Sequence, residues 1–298
     1  MTISAFAPAK INLNLHVGRP FADGRHPIDS LVTFADVGDA VEAAPAPDGA
    51  LALEIDGPFA AALASEADNL VLRAARLLQA HKGVALGARL RLTKRLPIAS
   101  GIGGGSSDAA AALRVLDALW GGPATPVEDL CAIAARLGAD VPVCVALQPA
   151  HLTGDGRETA AIALPRLSGV LVNPGTPAST ALVYRAFDDL NLGDGFSPSP
   201  LGPFRDGDEL LSALAEARND LEPAALRVAP VIEEALALVG GDPDVALARM
   251  SGSGATCFGL TRDRAAAERA ARRLAEAQPN WWVEPADFAA IDAATAGA

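Results

Sequence analysis

The segment from Pro97 to Pro123 constrains this chain more than any other. It runs Pro97-Ile98-Ala99-Ser100-Gly101-Ile102-Gly103-Gly104-Gly105-Ser106-Ser107, then Asp108 and a run rich in alanine and leucine as far as Gly121-Gly122-Pro123. Four glycines within positions 101–105 make poor packing units, because each loses more backbone entropy on ordering than any other residue. Ahead of them Leu86, Ala88, Leu90 and Leu92 alternate with Gly87, Arg89, Arg91 and Thr93, the period of a strand. Behind them Ala109, Ala112, Leu113, Leu116, Leu119 and Trp120 share one helical face, and Gly121, Gly122 and Pro123 end that helix. A strand entering a helix through glycines leaves unpaired N–H groups and the positive end of a dipole at the turn, which suits phosphate. Ser106 and Ser107 add hydroxyls, donors to phosphate or a ligand to Mg²⁺. The loop lacks the Gly-Lys-Ser/Thr ending of a P-loop and is not a dinucleotide fingerprint in its usual setting. The plain alternative is a flexible turn with a good N-cap.

Around this motif strands and helices mix without regular alternation, which predicts an α+β chain. Ile11, Leu13, Leu15 and Val17 alternate with Asn12, Asn14 and His16, a half-buried strand whose polar face carries Lys10. After a turn at Gly24, Leu31–Val41 returns as a second strand, and Leu51–Ile55 reads as a third. Helical spacing over Asn69–Gln79 has Asp68 as its N-cap. Thr125-Pro126-Val127-Glu128 has capping-box spacing with Pro at N1, for a helix that Gly138 ends. Composition shifts at Gln148–Glu158, which divides the chain into 1–152 and 153–298. Gly154-Asp155-Gly156 reads as a hairpin turn, and Gly193–Asp208 as an exposed loop. Helical patterns fill Asp206–Met250; then follow a glycine turn at Ser251–Gly254, a strand at Ala255–Leu260, a helix at Asp263–Ala277 and a last strand from Trp281.

Asp140 interrupts the apolar run around Val141-Pro142-Val143-Cys144. A buried carboxylate needs a cation or hydrogen bonds; capping a short helix from Val141 is one use, and taking a proton from an alcohol beside a lysine is another. Lys10, after Pro8, is either a solvated strand-end lysine or that partner. Arg25 and His26 follow the Gly24 turn and form either an ordinary surface turn or a guanidinium and an imidazole placed against a base. Ser251, Gly252, Ser253 and Gly254 supply further N–H donors or a tight strand entry.

The 298 residues carry 24 Lys+Arg against 36 Asp+Glu, a net charge of −12. That balance argues against nucleic acid or an anionic membrane as partner. Half of the residues are hydrophobic and only 4% aromatic, so a sizeable aliphatic core is expected and a wholly disordered chain is excluded. Three cysteines (Cys131, Cys144, Cys257) have no metal spacing with the four histidines and read as buried thiols of a reducing cytoplasm. No signal segment and no 18-residue apolar run is read, so a soluble cytoplasmic protein is expected.

Three stretches together, 8–13, 97–110 and 251–255, resemble the motifs of the GHMP kinases. The run at 23–31, Asp68-Asn69-Leu70, Lys94-Arg95-Leu96-Pro97, Gly138–Pro142, Asn173-Pro174-Gly175 and Asn219-Asp220-Leu221-Glu222 narrow the resemblance to the members acting on a cytidyl-diphosphate ester of a methyl-branched tetritol. The resemblance implies a two-domain GHMP kinase fold, with an N-terminal ATP-binding domain, a C-terminal ferredoxin-like α/β sandwich and the site in the cleft between them. It implies transfer of phosphate from Mg²⁺·ATP to a 2-hydroxyl, in the non-mevalonate route to isoprenoids. By the same resemblance Pro97–Ser107 holds the phosphates, Ser107 touches the metal, and Asn69, Leu70, Val71 and Lys94 lie near adenosine. Asp140 takes the proton, and Lys10 keeps Asp140 ionised and steadies the transferring phosphoryl group; Asn12 lines the substrate side and His26 reads the cytosine edge. Arg25, where the family often has an aromatic, and Tyr184 would sandwich the base, and Val32 stands where a larger aromatic often sits. A homoserine- or mevalonate-type kinase and a non-catalytic nucleotide-binding module are the competing readings.

Overall fold

A computed structural model describes residues 2–63, 69–197 and 202–291. The strands are β1 (Ile3–Asn12), β2 (His16–Val17), β3 (Ile28–Ala46), β4 (Leu51–Asp56), β5 (Gly87–Thr93), β6 (Ala150–Thr153), β7 (Glu158–Ala161), β8 (Leu167–Asn173), β9 (Val245–Met250), β10 (Cys257–Thr261) and β11 (Trp282–Ala289). The helices are α1 (Leu70–Lys82), α2 (Gly104–Trp120), α3 (Val127–Ala134), α4 (Val141–Ala146), α5 (Thr180–Asp189), α6 (Gly207–Glu216), α7 (Glu222–Val228), α8 (Val231–Gly240) and α9 (Arg264–Ala277). The architecture is α+β, as expected.

One continuous sheet runs in the order β4-β5-β3-β11-β8-β10-β9. Its spine is β3, 19 residues long, which also pairs with β1, β2 and β6. Among the described pairs only β4 and β5 run parallel. The last strand, β11, lies between β3 and β8. The Gln148–Glu158 segment forms the β6–β7 hairpin, turning at Gly154 and Gly156 as expected.

Helix α2 buries nearly its whole circumference, from Ser107 through Leu116. Its alanines let it pack close to β1 and β3, as an apolar helix inside a core must. A second cluster joins the two halves: Ile11, Leu13, Leu96 and Ile102 pack with Leu171, Phe258 and Phe288. Each such side chain stabilises the fold by about 1.5–3 kcal/mol through burial, and Ile102 anchors the glycine segment to this cluster. In the second half α9 buries Ala266, Ala267, Ala270, Ala271 and Leu274, the last three in one cluster with Val170 and Val172 of β8.

Several local expectations are corrected. Ile11–Val17 is not one half-buried strand: β1 stops at Asn12, and Asn12, Asn14 and His16 are as buried as the apolar face. Asn14 Oδ1 accepts the Leu31 N–H and Leu13 N–H donates to the Leu31 carbonyl, so a side chain replaces part of the ladder. Asp68 lies outside the described residues, and Asn69 caps α1 by accepting the Val71 N–H at 2.8 Å. Thr125 does not cap α3, because its hydroxyl and N–H both go to Asp117, and the helix ends at Ala134. The helical reading of Asp206–Met250 misses β9, whose pairing with β10 overrides local propensity. Cys131 is partly exposed, while Cys144 and Cys257 are buried free thiols. Residues 198–201 of the Gly193–Asp208 loop lie outside the described residues.

Candidate active site

The glycine segment turns between β5 and α2 with its carbonyls held from behind. Ala99 O accepts from Ala178 N, Ser100 O from Thr256 N and Ile102 O from Lys10 N, at 2.9–3.0 Å. Gly101 O accepts the Ser251 hydroxyl at 3.0 Å. With four successive carbonyls turned away, the first-turn N–H groups of α2, which have no helical acceptor, are left at the surface of a 620 Å³ cavity. Gly104, Gly105 and Ser106 line that cavity. Gly101 is required twice over: its φ is +73°, and a Cβ there would sit 2.3 Å from Ser251 O.

Lys10 reaches the same cavity from β1. The register of β1 on β3 shifts between Pro8 and Lys10, a bulge where proline cannot donate. The lysine is 3% exposed. Its Nζ donates to Asp140 Oδ2 at 2.9 Å and to Asn12 Oδ1 at 3.1 Å. Asp140 stands at the N-terminus of α4 but does not cap it; with 39% of its side chain exposed, the carboxylate opens into the cavity. Of the two uses expected for Asp140, the structure takes the pairing with lysine. Asn12 N–H donates to Ser251 Oγ at 3.1 Å, so one hydroxyl ties β1 to the glycine segment.

At one end of the cavity Lys94 is buried between two carboxylates, donating to Asp39 Oδ2 at 2.5 Å and Asp108 Oδ2 at 2.7 Å. Burial disfavours the ammonium, but attraction to Asp108 and Asp39 outweighs it and raises the Lys94 pKa. Burial pushes the Asp108 carboxyl up to about 8 against the pull of Lys94, with the Asp39 charge adding to the rise. Asp39 also accepts the N–H groups of Arg95 and Leu96 through Oδ1. Neither Asp39 nor Asp108 is singled out by the sequence. Asp108 lies inside the glycine motif and offers that signal; Asp39 offers none.

Among the residues expected at the nucleotide, Asn69, Leu70, Lys94, Pro97, Ile98, Ala99, Ser100, Gly101 and Gly103 also line the cavity. Val71 and Ile102 point into the core instead. Ser107 is likewise turned away: it is buried, and its hydroxyl donates to Pro8 O at 2.6 Å. From the second turn Gly252 and Ser253 line the cavity, while Ser251 and Gly254 lie behind it. Thr180, absent from the sequence reading, lines it too and meets Ser253 Oγ at 2.9 Å.

At the other end stands Tyr184, whose phenol is held neutral by burial and by the Asp140 charge. The His26 ring lies 4.8 Å from it, with Nδ1 at 2.9 Å from Gly18 O. Arg25 is not drawn into this group. Its guanidinium pairs with Asp23 and Asp155 on an exposed turn, away from the His26–Tyr184 pair. Val32 lies in the core and does not line the cavity.

A glycine turn opening a helix and a lysine–carboxylate pair face one cavity, the arrangement expected of a small-molecule kinase, and the comparisons show that class. Family models for the GHMP kinases match, the N-terminal domain at residues 69–147 and the C-terminal domain at 203–280. The 4-diphosphocytidyl-2-C-methyl-D-erythritol kinase of Paramagnetospirillum magneticum is 49% identical over 289 residues, 96% of this chain and 99% of that protein. The enzyme of the same name from Methylorubrum extorquens is 52% identical, over 95% of this chain and 98% of that one. A crystal structure of 4-(cytidine 5'-diphospho)-2C-methyl-D-erythritol kinase superposes with a TM-score of 0.75 at 34% identity, covering 96% of this chain and 99% of the other. A homoserine kinase from Cytophaga hutchinsonii shares the fold alone, with a TM-score of 0.71 at 17% identity over 97% and 95% of the two chains. The chain therefore belongs to the 4-diphosphocytidyl-2-C-methyl-D-erythritol kinase family. It is a phosphotransferase that uses ATP on a small molecule, and none of its described helices is long and apolar enough to cross a membrane.

Proposed function

We propose that the chain transfers the γ-phosphoryl group of ATP to the 2-hydroxyl of 4-diphosphocytidyl-2-C-methyl-D-erythritol, giving the 2-phosphate and ADP, in the cytoplasmic non-mevalonate route to isopentenyl diphosphate. The observation that carries this reading is the 2.9 Å Lys10–Asp140 pair in the cavity that the α2 N-terminus also faces. In this reading residues 1–152 form the nucleotide lobe and 153–298 the second lobe, with the acceptor lying between them.

Asp140 Oδ takes the proton of the 2-hydroxyl as its oxygen attacks the γ-phosphorus and the bond to the β-phosphate oxygen breaks. Lys10 pairs with that carboxylate and offers positive charge to the transferring group. Little more is required, because phosphoryl transfer depends chiefly on positioning and on stabilising charge. The N–H groups of Gly104, Gly105 and Ser106 hold the phosphates, and Asn69, Leu70 and Lys94 border the adenosine. His26, Asn12 and Tyr184 face the cytidyl substrate.

Mg²⁺ fits the donor set. The Ser106 hydroxyl at the cavity surface beside the α2 N-terminus is a hard oxygen donor, which suits an ion that takes most of its ligands from phosphate and water. The Ser106 hydroxyl would hold it, whereas the Ser107 hydroxyl is engaged with Pro8. When bound, Mg²⁺ neutralises phosphate charge.

The test is ADP release from Mg²⁺·ATP with and without 4-diphosphocytidyl-2-C-methyl-D-erythritol, with homoserine and mevalonate as controls. Release that requires the cytidyl substrate is expected. Release with a control alcohol instead would reassign the acceptor, and ATP binding without release from any of them would leave only a nucleotide-binding module.

A further inference from the structure

Asn12 presents two different atoms to two different neighbours, and only one orientation of its amide serves the site. Oδ1 accepts from Lys10 Nζ, while Nδ2 donates to Ser30 Oγ at 2.8 Å. An ammonium has only donors, so a flipped amide would set NH₂ against NH₃⁺. What selects the orientation is the hydroxyl of Ser30 on β3. Its own hydrogen goes to the Asn14 carbonyl at 2.6 Å, so towards Asn12 the oxygen can only accept. Ser30 is fully buried, at 0% exposure. The chain of bonds runs Asn14 O, Ser30, Asn12, Lys10, Asp140, and three of its links lie in the buried interior.

We propose that Ser30 is a positioning residue for phosphoryl transfer: its hydroxyl fixes the Asn12 amide so that Oδ1 aims Lys10 at Asp140. The inference rests on the reading of Lys10 and Asp140 as the reacting pair. Without the hydroxyl, the Asn12 NH₂ is buried unpaired, a cost of the kind that drives an amide to turn over. Lys10 then loses one of its two acceptors and its direction.

The test is a double-mutant cycle between positions 30 and 12, read as kcat and as KM for ATP in steady-state ADP release with the cytidyl substrate. Ser30→Ala is expected to lower kcat roughly 10-fold, with KM for ATP unchanged within about 2-fold. Asn12→Asp has no amide to orient, since either carboxylate oxygen accepts from Lys10. In that background Ser30→Ala is expected to cost less than about 3-fold, a coupling that independent sites do not show. Equal losses in both backgrounds, a loss carried by KM for ATP, or no loss in either background would each overturn the proposal. If Ser30→Ala does not fold, Ser30→Cys, whose thiol is a weak acceptor, replaces it with the same outcomes. Wild-type release separates the two claims: without it the catalytic reading fails, and with it the cycle judges Ser30 alone.

Discussion

Lys10 and Asp140, 130 positions apart in the chain, meet at 2.9 Å because a bulged strand and the first turn of a short helix converge on one wall of the cavity. The pair is unequal: the lysine is buried and the carboxylate is open to the cleft. Only the aspartate is free to receive a proton from a substrate. Asp140→Asn is therefore expected to lower turnover at least ~100-fold, the low end for a general acid–base group, while the dissociation constant for ATP stays within about 3-fold. Calorimetry for the nucleotide and steady-state rates for the reaction check this, and near-normal turnover would remove Asp140 from the mechanism.

The buried Lys94 group sets a pH dependence of stability. The Asp108 carboxyl titrates at about 8 in the folded chain against an ordinary 3.8, so between those values the folded state holds a proton that the unfolded state has lost. Stability from this group is present at low pH and falls as pH rises towards 8. We expect the melting temperature of the wild type to fall, relative to Asp108→Asn, on going from pH 6 to pH 8.5. Parallel melting curves for the two proteins across that range would contradict it.

Gly101 meets both a left-handed backbone and a carbonyl where a side chain would be. Gly101→Ala is expected to destabilise by at least about 1–3 kcal/mol from backbone strain alone, read from denaturant midpoints. Because Ser251 O is the atom struck, the damage also reaches the contact between the glycine segment and β1, and KM for ATP should rise. An alanine variant with wild-type stability and wild-type KM would show that the segment relaxes freely.

His26 and Tyr184 stand together, whereas Arg25 is held elsewhere by Asp23 and Asp155. His26→Ala is expected to raise KM for the cytidyl substrate about 5-fold, the equivalent of one neutral hydrogen bond, with KM for ATP unchanged. Arg25→Ala should raise it less and shift unfolding by no more than about 1 kcal/mol, as for exposed ion pairs. A larger effect at Arg25 than at His26 would mean that the guanidinium leaves its carboxylates and engages substrate.

The glycine segment was legible because its chemistry is local: left-handed positions and a helix N-terminus are written in consecutive residues. The shared face of Lys10 and Asn12 was legible from a period of two. The buried polar side of Ile11–Val17 was not, because what covers Asn14 and His16 comes from distant residues, among them Leu31 and Asp220. Asp39 escaped notice for the same reason: its partners, Lys94, Arg95 and Leu96, lie more than fifty residues on. Asn69 rather than Asp68 as the cap of α1, and Asp117 as the partner of Thr125, show how adjacent or distant acceptors decide between equally plausible signals. In β9 the ladder to β10 overruled a helical spacing, a choice that no local pattern records.

Strand β11 joins β3 to β8 although it follows both of them by more than a hundred residues in the chain. Pairing of this kind is non-local, and its loop-closure entropy must be met before the contact repays it. The sheet that runs under both halves is therefore expected to close late in folding, after the local hairpins and helices have formed.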